Sequence, residues 1–301
     1  HSELKGNILY KHNGKYVILK NMNYQNYNGE ILFYPIEIYG SHNHFIENEI
    51  KTTNDNIEYK TLFIDVVSKE AIELAKQKKL IFVFNISHEP FSDLNFLKNF
   101  SKQIKSIYPE ITIMEATNAK ESLSGSIDLW CPLINDFQEN QDFFNERESK
   151  GEKILIYTCL VPGGKWLNRT LDMERIRQVY FGWAGSKYNT FGYLHWGLNQ
   201  YKANPFKQSV VKHPSPQASS NNYLPAGDTH VIYPGKDGPL SSLRFEAHRQ
   251  GIEDYELLEK LKLKNSNKHK RLIKKLFLNY TNYSLSINKY QRIRKKLLKS
   301  I

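Results

Sequence analysis

The stretch "IFVFNISHEP", Ile81 to Pro90, decides how the rest of the chain is read. From Ile81 to Ile86 only Asn85 is polar, the composition of a strand buried on both faces. The run then stops. His88 and Glu89 bring titratable side chains, and Pro90 has no N–H to give to a ladder, so the strand ends there. A carboxylate at the end of a buried strand loses solvation, and its pKa rises. That suits a general acid near neutral pH and makes Glu89 the sharpest candidate for chemistry. The competing reading is a glutamate paired with a Lys or Arg. His88 reads equally as a hydrogen-bonded structural imidazole.

Outward from this strand the chain alternates. "KYVILKN" and "GEILFYPIEIYG" read as early strands, and Ser68 to Lys79 has helical spacing with Ser68 as N-cap. After Ile81 come a helix over Asp93 to Ile107, strands "ITIMEA" and "IDLWCPL", and a helix over Phe137 to Lys150. Strand "KILIYTC", a helix over Leu171 to Lys187 and strand "TFGYLHW" follow. Beyond a polar, Pro-bearing loop (Asn204 to Asp228) come strand "THVIYP" and a long helix from Ser242 to Leu263. Strand–helix alternation at this spacing means parallel βαβ units. Neither GxGxxG nor GxxxxGK[ST] is present, which argues against an open nucleotide-binding sheet. Polar and aromatic strand ends favour a (β/α)8 barrel, whose sites gather at the carboxyl ends of the strands. About six or seven strands follow Ser68, so the barrel is incomplete or irregular at its N-terminus unless the early strands join it.

The expected mouth is rich in aromatics. Trp130, Tyr157, Trp166 and Trp196 fall at strand ends or in adjacent loops, where ring faces could stack on the C–H faces of a sugar; core packing is the alternative for each. His195 precedes Trp196 and reads either as a site residue or as a structural imidazole. Asn168, Arg169 and Asn199 could bond hydroxyls. The segment "YTCLVPGGKWLNR" fits no phosphate loop and reads as a mobile βα loop with Trp166 at its tip.

The totals bound the function. A chain of 301 residues with 40% hydrophobic and 13% aromatic content can fill a sizeable core. No apolar run approaches the ~20 residues of a membrane span. Cys131 and Cys159 end apolar runs and read as buried thiols; without a CxxC or Cys/His cluster no metal is expected, and "SHNH" (Ser41 to His44) reads as a loop. No cofactor is expected either. The net charge of +11 is uneven: the segment Lys260 to Ile301 carries fourteen Lys/Arg and no Asp/Glu, contributing +14, so everything before it sums to −3. Such a segment can touch nucleic acid or an anionic surface, or form the solvated face of terminal helices. The helical spacing of Leu272, Ile273, Leu276 and Phe277 favours terminal helices, with no nucleic-acid partner favoured. The Asn/Lys/Ile/Tyr-rich composition points to an AT-rich, bacterial genome. Compartment, cytoplasmic or secreted, and oligomeric state stay open.

Three ordered motifs give these residues a family. "NISHEP" resembles the strand end of the DUF4091 domain, which is related to glycoside hydrolase family 123. "GYLHWGLNQY" is similar to that domain's LHWG-N segment. "LPAGDTHVIYPGKDGPLSSLRFEAHRQGIEDYELLEKL" resembles its C-terminal signature. The resemblance runs from about Leu80 to Leu263. It implies a barrel over 1–263, with residues 1–65 weakly matched, followed by a basic helical extension over 264–301. The family often carries a β-sandwich ahead of its barrel, for which this chain, opening on His1, lacks room; a fragment or short form is the expectation.

The resemblance also implies a reaction. The family hydrolyses β-linked N-acetylhexosaminides with retention, the sugar's own acetamido oxygen attacking the anomeric carbon. This route departs from the two-carboxylate scheme. Glu89 falls at the general acid/base position. The preceding aspartate, which orients the acetamido N–H and balances the developing positive charge, is replaced here by His88. A neutral imidazole can accept that N–H but brings no negative charge, and losing preorganised charge stabilisation costs about 10²–10³ in rate. Three readings follow. One is an active glycosidase with a carboxylate from elsewhere or a substrate without an acetamido group. The second is a carbohydrate-binding protein with an impaired site. The third binds an anionic polymer or surface through the C-terminal segment.

Overall fold

The computed structural model describes residues 112–213 and 222–301 continuously. Before them it describes the strands β1 (Leu9–His12), β2 (Lys15–Ile18), β3 (Ile31–Tyr39) and β4 (Ile81–Ser87), with Leu94, Lys98, Ser101, Lys102, Lys105 and Pro109. His88, Glu89 and the helix expected over Ser68 to Lys79 lie outside the described residues. The chain divides into two compact units, one of residues 1–130 with 150–152, the other of residues 131–149 with 153–301.

In the first unit, β1 and β2 form an antiparallel hairpin. They are separated in sequence by Asn13-Gly14, the dipeptide that favours a two-residue hairpin loop. The expected "IFVFNI" strand is β4. It lies between β3, with Ile31 opposite Ile81, and β5 (Thr112–Glu115), with Asn85 opposite Met114. β6 (Leu129–Trp130) continues the order, Glu115 opposite Trp130, and all four strands are parallel. Parallel neighbours need a crossover; between β4 and β5 the described residues Leu94, Lys98, Ser101, Lys102 and Lys105 are helical. β4 ends at Ser87 and β5 at Glu115 on the same, carboxyl-terminal edge of the sheet. These strands make a mixed α/β fold with a parallel sheet, and the described strands do not close a barrel.

The second unit opens with two short helices, α1 (Ile134–Glu139) and α2 (Gln141–Ser149), in place of the single helix expected over Phe137 to Lys150. The break falls at Asn140, whose side chain bonds back to the Asp136 carbonyl and carboxylate. This is the local competition with the helix that Asn offers. β7 (Lys153–Tyr157) and β8 (Gly192–Leu194) pair in parallel across α3 (Ile176–Tyr188), with Leu155 opposite Gly192. α3 stops at Asn189, which takes a left-handed conformation (φ 58°) that Asn tolerates. Short antiparallel pairs follow: β9 (Val211–Lys212) with β10 (Tyr223–Leu224), and β11 (Tyr233–Gly235) with β12 (Gly238–Leu240). The strand expected over Thr229 to Pro234 begins only at Tyr233. Thr229 instead closes a turn, His230 makes a single bridge to Asn199 and Val231 lies in a bend, all three buried.

The long helix α4 (Leu243–Lys264) matches its expectation within a residue. Ser242 caps it, accepting from the Phe245 N–H at 3.1 Å. α4 crosses α3 backbone to backbone. A methyl on Gly182 would overlap the Gly251 carbonyl, and one on Gly251 would stand 2.7 Å from the Val179 oxygen. Next to this crossing sits Asp254, fully buried. It accepts from Trp183 Nε1 (2.8 Å), Tyr290 Oη (2.6 Å) and Arg294 Nε (2.7 Å). It therefore ties α3 and α4 to α6 (Ile287–Leu298). Before α6 come α5 (Ser266–Leu276) and the pair β13 (Phe277–Asn279) and β14 (Asn282–Tyr283). Leu272, Ile273 and Leu276 are buried on α5, as their helical spacing predicts, while Phe277 is buried as the first residue of β13. Residues 264–301 thus pack into the second unit. Cys131 and Cys159 are buried thiols.

Candidate functional site

The best-built polar cluster of the second unit grows from the strand end "YLHWG". β8 ends at Leu194, and His195 and Trp196 follow it. Both converge on Asp228, which the sequence reading passed over. His195 Nε2 lies 3.1 Å from Asp228 Oδ1, and Trp196 Nε1 donates to Asp228 Oδ2 at 2.9 Å. Asp228 follows Gly227, whose φ of +74° suits glycine. A Cβ there would also collide with Arg244 and Leu171. Arg244, at the start of α4, donates to the carbonyls of Gly227 (2.6 Å) and Arg169 (3.1 Å) and so pins both sides of the cluster.

The hydrogen bonds assign the imidazole's proton. His195 Nδ1 receives Arg169 Nη2 at 2.6 Å and the Gly197 N–H at 3.2 Å. Guanidinium and amide nitrogens only donate, so Nδ1 is the acceptor and the proton sits on Nε2, donated to Asp228. Burial, then the Arg169 and Arg244 charges, hold His195 well below its ordinary value of 6.5, so the ring stays neutral. Asp228 is pushed up to about 6 by burial, against the Trp196 bond and the Arg169 charge, which pull it down. Arg169 falls to about 10 by burial and remains a cation. Tyr193, stacked on Phe181 at 3.9 Å and bonded to Thr158 Oγ1 at 2.6 Å, is pushed up to about 12 by burial. His248 stacks on both rings. Burial lowers it to about 3 and His230 to about 4. The result is a neutral imidazole with both nitrogens engaged, a carboxylate of raised pKa and an indole whose plane they fix. It can present an oriented aromatic face and polar groups. It offers no nitrogen for proton transfer.

The other expected site residues divide. Asn199, three residues after Trp196, is exposed and forms a bridge with His230. Trp196 and Trp166 are half-buried. Tyr157 retains 5% of its surface and Trp130 none. Trp130 donates its indole N–H to Glu152 at 2.5 Å. With no exposed ring face, Trp130 packs the core and does not form a stacking platform. Asn168 is spent on structure. It donates to the Cys159 and Pro162 carbonyls at 2.8 and 3.1 Å and accepts from the Arg169 N–H. The loop it closes, expected to be mobile, is also tied at Leu167 to the Tyr280 carbonyl, at Lys165 by Tyr283 Oη and at Gly164 by Arg177. Glu115 is a further residue the sequence reading left unmarked, a fully buried carboxylate on the strand-end edge of the first unit's sheet. Among the described residues no group of three or more His, Cys, Asp or Glu could hold a metal ion. None of their helices is long and apolar enough to cross a membrane.

The fold of this chain is similar to that of a solved glycoside hydrolase. The structure of a family 123 glycoside hydrolase from Clostridium perfringens, described for glycolipid glycan hydrolysis, is similar to this chain with a TM-score of 0.56 and 19% identity. The likeness covers 82% of this chain and 44% of that one. At that identity it speaks for the fold, and the chain spans less than half the relative's length. The family is settled by sequence. The model of the glycoside hydrolase 123 catalytic domain matches residues 23–261, and the chain belongs to that family. The match reaches back beyond Leu80, where the motif resemblance began, and takes in β3. No curated protein matches the chain.

Proposed function

We propose that the protein is a glycoside hydrolase that cleaves β-linked N-acetylhexosaminides with retention, by participation of the substrate's acetamido group. Its parallel strands belong to a (β/α)8 barrel in this reading, and Glu89 is the general acid/base. The observation that carries it is the family match spanning "NISHEP", with β4 ending at Ser87 in a parallel sheet and the acid following two residues later. Glu89 protonates the leaving oxygen as the acetamido oxygen attacks the anomeric carbon, then accepts a proton from the water that opens the intermediate. His88 accepts the acetamido N–H as a neutral imidazole. Glu115, at the end of the neighbouring strand, is the source proposed for the negative charge that His88 does not bring. Trp196 and Asn199, with Trp166, contact the sugar, and His195 acts through Trp196 and Asp228 as a positioning residue. No cofactor or metal is required by this chemistry.

The test is release of nitrophenol from the aryl β-N-acetylgalactosaminide by the protein and four variants. Glu89→Gln is expected to lose about 10³-fold in turnover. Glu115→Gln is expected to lose about 10²-fold, which His88→Asp in the same background restores. Turnover untouched by Glu89→Gln would sink the assignment of the acid. A second reading rests on one observation, the His88 substitution: a carbohydrate-binding protein without turnover. It gains if only His88→Asp is active while the natural chain still binds the sugar. Silence of both on every β-N-acetylhexosaminide would end the hydrolase reading.

A further inference from the structure

We propose that the C-terminal helices form a docking surface for an anionic lipid bilayer, independent of the hydrolase reading. Residues 262–301 lie beyond the family match. They hold thirteen Lys/Arg and no Asp/Glu. The cations are ordered rather than scattered. On α5 the buried residues are His269, Leu272, Ile273 and Leu276. Lys270, Arg271, Lys274 and Lys275 fall on the opposite side at 100° per residue. On α6 the buried residues are Tyr290, Ile293 and Leu297; Arg292, Lys295 and Lys296 fall opposite, joined by Lys299, the residue that caps the helix C-terminus. All eight are exposed. Among the described residues the ion pairs of this segment are confined to Lys262 with Glu259 and Arg294 with Glu253 and Asp254. Two helices therefore turn four cations each away from their packed sides, with no carboxylate of the segment to offset them.

Three features select a lipid surface over nucleic acid. The thirteen cations are ten Lys and three Arg; the strongly hydrated point charge of Lys suits a diffuse anionic surface, whereas Arg is favoured for bidentate phosphate and base contacts. No aromatic ring of the segment is exposed for base stacking: Phe277, Tyr280 and Tyr290 are buried and Tyr283 is half-buried with its hydroxyl engaged. Aliphatic side chains are exposed instead, Leu263 at 91% and Ile287 and Leu298 at about half. Ile287 and Leu298 share one flank of the cationic stripe of α6. Basic residues with protruding aliphatics match the headgroup layer, where charge attracts and apolar side chains insert.

The test is co-sedimentation of the full chain with phosphatidylcholine vesicles and with vesicles containing one quarter phosphatidylglycerol. A fluorescent single-stranded oligonucleotide is titrated in parallel. Binding is expected only to the anionic vesicles, falling at least tenfold between 50 and 300 mM NaCl. The variant Lys270→Gln/Arg271→Gln/Lys274→Gln/Lys275→Gln is expected to lose at least tenfold in vesicle affinity with an unchanged melting temperature. Should it fail to fold, Arg292→Gln/Lys295→Gln/Lys296→Gln carries the same expectation on α6. Leu298→Ser should weaken vesicle binding and leave any oligonucleotide binding unchanged. Oligonucleotide binding without vesicle binding would overturn the proposal in favour of a nucleic-acid partner. Binding to neither, or equal binding to both vesicle types, would reduce the stripes to a solvated face.

Discussion

Asp228 and Asp254 are both fully buried, and both accept the indole N–H of a tryptophan. Their remaining partners separate them. Asp254 sits on a helix and takes a guanidinium and a phenol directly on its carboxylate, so it locks three helices together. Asp228 sits after a positive-φ glycine in a turn. The neighbouring guanidinium, Arg169, reaches its carbonyl at 3.3 Å rather than its carboxylate. Its carboxylate holds an imidazole and an indole, and burial lifts it to about 6. The first arrangement compensates a buried charge and serves stability. The second leaves the charge poorly compensated and spends it on orienting two rings, the role our proposal gives it in sugar binding.

That contrast can be broken by exchanging what each carboxylate does. The largest effect is expected from Asp254→Ala, which strands Arg294, Tyr290 and Trp183. It should cost about 3 kcal/mol in chemical denaturation while turnover per folded molecule stays unchanged. Asp228→Asn should do the reverse. Two donors face its two oxygens, and an amide can accept only on one, so Trp196 or His195 loses its place. The expectation is a rise in KM of about tenfold for the aryl glycoside with a stability change under about 1 kcal/mol, since the variant also removes a desolvated charge. Equal loss of stability from the two variants, with binding intact, would erase the distinction.

A smaller effect sharpens the same point through pH. His195, His230 and His248 are held neutral by burial, below the 6.5 at which imidazoles of the unfolded chain take up protons. Below pH 6.5 the unfolded state binds more protons, so stability falls as pH falls, down toward the folded values of about 4 and about 3 for His230 and His248. Asp228 opposes this between its ordinary 3.8 and about 6, where the folded state holds the extra proton. The net expectation is a drop in Tm of about 5 °C from pH 7 to pH 5, steeper in Asp228→Asn, where the opposing carboxyl is gone. A Tm rising toward pH 5 would mean that these imidazoles are charged in the fold.

What the sequence made legible was local. β4 and α4 were readable because apolar runs and an N-capping serine act within a few residues. The two-helix form of residues 134–149 was not, because Asn140 breaks the helix by a side-chain bond that periodicity does not register. Strand-end position alone could not separate Trp130, which the core absorbs, from Trp196, which remains half-exposed. Asp228 joins Arg169 and His195 across 59 and 33 residues of chain. Only the Gly-Asp pair inside the third motif hinted at it, and a turn requiring φ > 0 is a weak signal by itself. The loop after β7 looked mobile from its glycines because the bonds that pin it come from Tyr280 and Tyr283, far along the chain.

The contact between Gly182 and Gly251 has one more consequence. Where two helices touch through their main chains, the gap between their axes is set by atoms that no substitution elsewhere alters. Trp183 stands one residue past the contact on one helix and Asp254 three residues past it on the other. The pair is thus held like two marks on rulers clamped at a common point. Apolar neighbours could drift in size over long stretches of descent and leave that alignment untouched. A single added carbon at the clamp would displace it.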